Sequence, residues 1–361
     1  MISTESLSKD WIIQRSQELK YNNKQLLEKV IRAFSLLEAL VENGAPIIFK
    51  GGSSLLLILK GNLNRLSIDI DVICPPDDDI RRYLKNLDKH GFLNIIPVNT
   101  EHSRKDLPAS HFKSYYDIIF SGRDDDEAYI RLDVLNAENP YHNTITLPIE
   151  SPFFKQDGEP LMVQVPAKED ILGDKLTAFG PNTLGIPYFK REDLDEERRR
   201  CSLEIIKQLF DIGCLFNSVT DFSNTFKSFL KVSAEELNFR PQMEGRIEKY
   251  FDDVRQSALC LSTRGQIGEG KFEEFQDGLI RIKNYMYQRN YYIEQAIVDA
   301  AKAAYLATCF EHGITDIQKY NNRDFDLHTL AIFANMPKEL QRFRRSSPEA
   351  FWYWAKTYEL L

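Results

Sequence analysis

Asp69 and Asp71 are the residues of this chain whose type and spacing most directly suggest chemistry. They stand one residue apart in RLSIDIDVI (65–73), a run that alternates as a β-strand does. Residues two apart on a strand share a face. The two carboxylates therefore lie side by side, and Ile68, Ile70 and Val72 turn the other way into a core. Like charges held that close are costly unless a cation sits between them, which reads as a divalent-metal site. Just upstream, the apolar run Ile47-Ile48-Phe49 leads through Lys50 into Gly51-Gly52-Ser53-Ser54 and a leucine-rich stretch. Glycines between a strand and a helix let the backbone approach a phosphate chain, and a helix N-terminus favours negative charge. Ser53 adds a hydroxyl. A third acid, Asp133, sits in YIRLDVL (129–135), where alternation turns Tyr129, Arg131 and Asp133 away from Ile130, Leu132 and Val134. Carboxylates on neighbouring strands, facing a phosphate loop, can hold Mg²⁺ and suit in-line displacement at phosphorus.

Each of these features has an ordinary structural explanation when taken singly. A Gly-Gly after a strand is often a tight turn. An Asp-x-Asp can be a solvated strand face, and Asp133 could pair with Arg131. The order strand–GGS–helix–strand–DxD is much harder to explain that way, because a fold has no use for two adjacent like charges.

The surrounding pattern predicts the elements that carry these residues. Residues 7–43 read as helix, with a stripe of Leu27, Val30, Ile31, Phe34, Leu37 and Val41 and a division at Asn22-Asn23. Strand and helix alternate through residues 47–73, and Pro75-Pro76 ends the carboxylate strand. Asp77-Asp78-Asp79 reads as the N-terminus, where acids complement the dipole, of a helix that carries Ile80, Tyr83, Leu84 and Leu87 and is broken by Gly91. Strands are expected at 93–98 (an edge, from Pro97), 111–120, 129–135, 144–149 and 161–165. The polar turn 121–126 would make a hairpin of the 111–120 and 129–135 strands. From Ala167 helical periodicity dominates: 167–179, 196–217, 222–239, 243–263, 271–287, 290–310 and 348–361, with a loop over 180–195. The expected architecture is an α/β (α+β) domain with a mixed sheet over residues 1–166, followed by an all-α helical domain over 167–361.

Composition narrows the class. The chain has 361 residues, 43% hydrophobic and 28% charged, with a formal net charge of −8. That charge excludes a protein coated in positive potential but permits a local basic groove. The longest apolar runs are too short to span a bilayer, and the first residues lack the pattern of a signal peptide. Cys74, Cys201, Cys214, Cys260 and Cys309 are scattered, with no C-x-x-C spacing, as expected of reduced thiols in a cytoplasmic protein. His90, His102, His111 and His142 show no ligand spacing. The basic clusters Arg198-Arg199-Arg200 and Arg342, Arg344, Arg345 read as solvated helix faces, with RNA contact the alternative.

The pattern FKGGSSL…RLSIDID resembles the nucleotidyltransferase superfamily, with its GS motif followed by a D-x-D pair. More narrowly it resembles the abortive-infection AbiEii/AbiGii toxin family, whose members read roughly KGG[ST]-x-L…R-x-S-x-D-[IL]-D. Lys50, Gly51, Gly52, Ser53, Leu55, Arg65, Ser67, Asp69, Ile70 and Asp71 fit in order. The resemblance implies Asp69 and Asp71 as metal ligands and Gly51, Gly52, Ser53 and Arg65 at the nucleotide. It also implies Asp133 as a further ligand or the base. Later, VPAKEDILGDKLTAF resembles the family's stretch ending E-K-L-x-A and puts its lysine at Lys175, with Asp174 in the glutamate position. EIIKQLFDIGCLF resembles R-D-L-[YF]-D-L-x-x-L, with Lys207 in the arginine position and Asp211 as the last aspartate. Gln208 departs where an aspartate is common. Lys207 and Asp211 share a helix face and could be a simple ion pair. The resemblance instead implies that Lys175 and Asp211, with Lys207 in support, face the first-domain carboxylates across a cleft.

The resemblance implies an enzyme that uses Mg²⁺ or Mn²⁺. It would move a nucleotidyl group from a nucleoside triphosphate to RNA, such as a tRNA 3′ end, and release pyrophosphate. It would be the toxin of a phage-defence or toxin–antitoxin pair, with a cognate antitoxin and no membrane partner. The rival readings are transfer to a protein hydroxyl, for example on the antitoxin, and a non-catalytic nucleotide-binding scaffold.

Overall fold

In a computed structural model, residues 1–98, 108–120, 128–191, 198–238, 247–321 and 335–361 are described. His102, the turn 121–126, the end of the 180–195 loop, residues 196–197 and the expected start of the 243–263 helix lie outside them. The chain divides into two compact units: Met1–Ala167 with Asn284–Asn290, and Lys168–Lys283 with Tyr291–Leu361.

The first unit opens with helices α1 (Lys9–Glu18) and α2 (Lys24–Glu42). Asn23 separates them, its side chain accepting from the Leu26 N–H at 3.0 Å and so capping α2. The predicted stripe of α2 is core: Leu27, Val30, Ile31, Phe34 and Leu37 are fully buried. Then follow β1 (Ile48–Lys50), α3 (Gly51–Ile58), β2 (Ile70–Cys74), β3 (Asn94–Pro97), β4 (Ala109–Tyr115), β5 (Tyr129–Asn136), β6 (Thr144–Pro148) and β7 (Met162–Pro166). They form a mixed sheet in the order β3-β4-β5-β2-β1-β7-β6. The β2/β5 and β1/β7 pairs are parallel; the others are antiparallel. Helix α2 packs on β2 and β5. Ile70, Val72, Leu132 and Val134, on one face of those strands, are buried.

The helix expected after Asp77 does not form. Residues 80–83 and 87–90 make short 3₁₀ turns instead. The aspartates compete with the helix for backbone donors: Asp78 Oδ1 accepts from the Asp79 N–H and Asp79 Oδ1 from the Arg81 N–H. Asn86 then takes a left-handed φ of +53°, which ends any continuation.

The second unit contains α4 (Lys168–Thr177), β8 (Phe189–Arg191), β9 (Arg198–Arg200), α5 (Ser202–Ser218), α6 (Phe222–Asn238) and α7 (Ile247–Thr263). It continues with α8 (Phe272–Arg281), α9 (Ile293–Glu311), α10 (Lys338–Gln341), α11 (Phe343–Ser346) and α12 (Pro348–Leu360). It is not purely helical. Arg198–Arg200, expected on a helix, pairs antiparallel with Phe189–Arg191; a cross-strand partner is invisible to periodicity along the chain. The helix expected over 271–287 stops at Arg281, because residues 284–290 belong to the first unit. There Leu66 N–H donates to Tyr285 O (2.8 Å) and Tyr287 N–H to Asn64 O (3.0 Å).

Within the helical unit Gly213 of α5 lets Asp299 of α9 come close. A Cβ at 213 would lie 2.1 Å from Asp299 Oδ1. Tyr291 donates to Asp299 at 2.9 Å, while Lys302 stands 3.9 Å from it and 2.8 Å from Glu349. Burial dominates, and the Asp299 carboxyl is pushed up to about 6. An acid whose folded value is raised loses stability as pH climbs from its unfolded value to its folded one. Asp299→Asn keeps the acceptor for Tyr291 and removes that loss. We expect it to stabilise the protein by about 2 kcal/mol at pH 8 and by clearly less at pH 4.5, measured by urea unfolding. An equal shift at both pH values would refute it.

Candidate active site

The sheet register assembles the polar face. Lys50 pairs with Asp71 across β1/β2, Asp71 with Asp133 across β2/β5, and Asp133 with His111 across β5/β4. Paired residues share a face of the sheet, so Lys50, Asp71, Asp133 and His111 form one row. Asp69 lies one residue before Ile70, whose partner is Leu132, and so comes level with Arg131, which pairs with Lys113. A second row thus runs Asp69, Arg131, Lys113.

Asp133 is held from two sides. His111 donates from Nδ1 to its Oδ1 at 2.6 Å, and Arg131 donates from Nε to the same oxygen at 2.8 Å. Burial opposes its charge, yet the hydrogen bond from His111 and the pull of Arg131 outweigh that and hold the carboxyl below its ordinary range. Burial likewise works against Arg131, but Asp133, then Asp69 and Asp71, raise its pKa. Ligand spacing along the chain does not point to His111. The alternation that places His111 and Lys113 on one face of a strand was its only trace in sequence.

The glycine turn is fitted to this row. Gly51 has φ +75°, and a Cβ there would lie 2.1 Å from Asp71 Oδ2. At Gly52 a Cβ would meet Arg65 Nη2 and Ser67 Oγ, each at 2.9 Å. Gly51 is therefore demanded by its close approach to a carboxylate, whereas Gly52 lies against the ends of two side chains, one of them a guanidinium. Lys50, at the N-cap of α3, gives no side-chain cap, so the first N–H groups of the helix are suited to an anion. Lys50 also sits 5.8 Å from the ring of Tyr141.

Two expected contributors act differently from the sequence reading. Ser53 is fully buried, and its hydroxyl donates to the Asp69 carbonyl at 2.6 Å. It ties α3 to the carboxylate strand, and what it can offer a phosphate is its backbone N–H. Arg65 is 1% exposed and donates from Nη1 to Leu66 O at 3.0 Å. Its charge lies beneath Gly52 and adds to the positive end of α3.

In the helical unit, Lys175 of α4 reaches Asp211 of α5, with Nζ to Oδ2 at 3.1 Å and both side chains buried. Lys207, one turn before Asp211, is half-buried. Breaking a buried pair by removing one partner costs about 3–5 kcal/mol, whereas removing both costs far less. Lys175→Met should therefore be strongly destabilised, and Lys175→Met with Asp211→Leu should recover most of the loss in urea unfolding. A double variant as unstable as the single one would show that the pair is not the cause.

Other candidates fall outside this face. His90 pairs with Glu42 at 2.8 Å, and Arg342 donates to Ser262 O at 3.2 Å. Among the described residues no group of three or more His, Cys, Asp or Glu side chains makes a ready cage for an ion. Mg²⁺ does not require one, since it binds through one or two carboxylates together with substrate phosphates. The Asp69–Asp71 pair, beside an anion-suited helix start, is a hard-oxygen donor set of that kind. No helix among the described residues is long and apolar enough to cross a membrane.

An aspartate pair at the start of one strand of the mixed sheet, a third aspartate level with it, and a Gly-Gly-Ser turn opening a helix beside it fit the nucleotidyltransferase expected from the sequence pattern. A profile described as "Nucleotidyl transferase AbiEii toxin, Type IV TA system" matches residues 35–281. The chain belongs to the AbiEii family of nucleotidyltransferase toxins. Among solved structures it is similar to MenT4, the nucleotidyltransferase toxin Rv2826c from Mycobacterium tuberculosis H37Rv. The TM-score is 0.53 at 16% identity, covering 94% of this chain and 97% of that one. Comparison with curated protein sequences finds no match.

Proposed function

We propose that the protein transfers a nucleotidyl group from a nucleoside triphosphate to a hydroxyl of RNA, with Mg²⁺ as the metal. The observation that carries this reading is the register of Asp71. It stands beside Asp133 on one face, and its own carboxylate packs on Gly51 at the start of α3. Groups suited to phosphate and groups suited to a cation are thereby adjacent.

In this reading the backbone N–H groups of Gly51, Gly52 and Ser53 receive the β- and γ-phosphates, over the buried charge of Arg65. Asp69 and Asp71 would hold Mg²⁺, which would supply charge neutralisation for the transferring phosphoryl group. The acceptor oxygen bonds to the α-phosphorus, the bond from that phosphorus to the bridging oxygen of the β-phosphate breaks, and pyrophosphate leaves. The acceptor hydroxyl gives its proton to Asp133, which His111 and Arg131 hold in place, or Asp133 serves as a further ligand. Lys175 and Asp211, with Lys207 in support, serve the transfer as well as the stability of their own unit. The Lys175→Met/Asp211→Leu variant separates this role from structure, since stability should return without transfer.

We further propose that a cognate antitoxin restrains the activity and that the pair serves abortive infection against phage. The test is incubation with each triphosphate labelled at its α-phosphorus, Mg²⁺, and either total RNA or cell protein. Label in RNA supports the reading. Label in protein alone would replace the acceptor, and equal label with and without EDTA would remove the metal.

A further inference from the structure

The polar face continues past the carboxylates. Two residues along β5 from Asp133 is Arg131, paired with Lys113, and two further is Tyr129, paired with Tyr115. Each step of two residues advances about 7 Å along a strand. The face thus presents an acid row, then a cation row, then an aromatic row. Lys113 Nζ lies 4.2 Å over the Tyr129 ring, and the Tyr115 and Tyr129 rings are 5.8 Å apart. The other face of the same strands is buried through Phe112, Ser114, Ile130 and Leu132. On the polar face Lys113, Tyr115 and Tyr129 are half-exposed. The Arg131 side chain is 44% exposed and is held to Asp133 through Nε. Beyond Lys113, on the same face of the edge strand, Ile96 is 47% exposed.

We propose that this β3–β4–β5 face is the binding track for the single-stranded end of the RNA acceptor. The proposal rests on the reading that RNA is the acceptor. The spacing of the rows is close to the reach of one nucleotide. A terminal hydroxyl at Asp133 brings the adjacent phosphate to Arg131 and Lys113 and the preceding base to Tyr129 and Tyr115. Phosphate contacts fix position, and stacking on aromatic rings is how unpaired bases are held without sequence readout. A duplex end cannot use the aromatic row, because its bases are stacked on one another. A protein hydroxyl has no use for it. The track therefore selects a frayed or naturally unpaired terminus and is indifferent to most of its sequence.

The test is binding of a fluorescent single-stranded RNA of about ten nucleotides, without triphosphate, followed by anisotropy. Tyr129→Leu and Lys113→Glu should each weaken binding about tenfold or more. Binding of Mg²⁺ with triphosphate should be unchanged in both, which also reports that they are folded. Affinity equal to the parent in both variants overturns the track. Photo-crosslinking of the parent protein to RNA carrying 4-thiouridine needs no variant. Adducts in the β4 or β5 peptides support the proposal, and adducts confined elsewhere overturn it. The label-transfer experiment separates the two levels. If the parent labels RNA and both variants do so equally, the track is wrong and the acceptor reading stands. If only protein is labelled, both fail.

Discussion

Asp71→Asn is expected to remain folded and to transfer nucleotide about 10³-fold more slowly, the equivalent of several kcal/mol of lost metal-borne stabilisation. Asparagine keeps the shape that packs on Gly51 and removes only the charge, so geometry is held while the cation site is weakened. Asp69→Asn should behave alike. The double variant should fall little further, because residues that act through one ion are not additive. Stability should move by less than about 1 kcal/mol. The row already contains Lys50 and His111, and Arg131 stands level with Asp69, so no large repulsion is waiting to be released. The measurements are single-turnover transfer from labelled triphosphate at several Mg²⁺ concentrations, and thermal melts. Partial rescue at high Mg²⁺ is part of the expectation. Parental rates in Asp71→Asn and Asp69→Asn would sink the metal assignment, whatever RNA or protein receives the label.

The legible part of this site is the part that is local. Residues 47–73 hold strand, turn, helix and strand in immediate succession, and alternation alone places Asp69 and Asp71 on one face. Alternation also turns Asp133 outward. It does not say which strand lies beside β5, and the adjacency of Asp133 to Asp71 depends on a parallel pairing across some sixty residues. His111 shows the same limit. Rules of ligand spacing search along the chain, whereas His111 meets Asp133 across strands. The Ser53 hydroxyl faces the Asp69 carbonyl, a direction no residue pattern encodes. The 3₁₀ turns after Asp77 and the β8/β9 ribbon escape the sequence pattern for a related reason. Side-chain competition and cross-strand pairing override helical periodicity there. The return of residues 284–290 to the first unit, through backbone bonds to residues 64–66, is long-range in the same sense.

Gly51→Ala should be more damaging than its size suggests, and for two separable reasons. The backbone at 51 sits at φ +75°, which costs a non-glycine residue about 1 kcal/mol or more. The new methyl would also stand 2.1 Å from Asp71 Oδ2, so the carboxylate must swing away or the turn must open. Either movement displaces a reacting group by something near an ångström, and displacement of that order costs about 10²-fold in rate. The expectation is a loss of about 1–3 kcal/mol in urea unfolding together with a fall in transfer of about 10²-fold. Gly52→Ala should be milder. Its methyl meets Arg65 Nη2 and Ser67 Oγ at 2.9 Å, the ends of side chains that can yield, and no positive φ is recorded there. Gly61→Ala, with nothing within 4 Å, is the neutral control. The order Gly51, Gly52, Gly61 in both stability and rate is the prediction. Were Gly51→Ala to transfer at the rate of Gly61→Ala, the close packing of Asp71 on the glycine turn would have no part in catalysis. The GGS motif would then be a turn and nothing more.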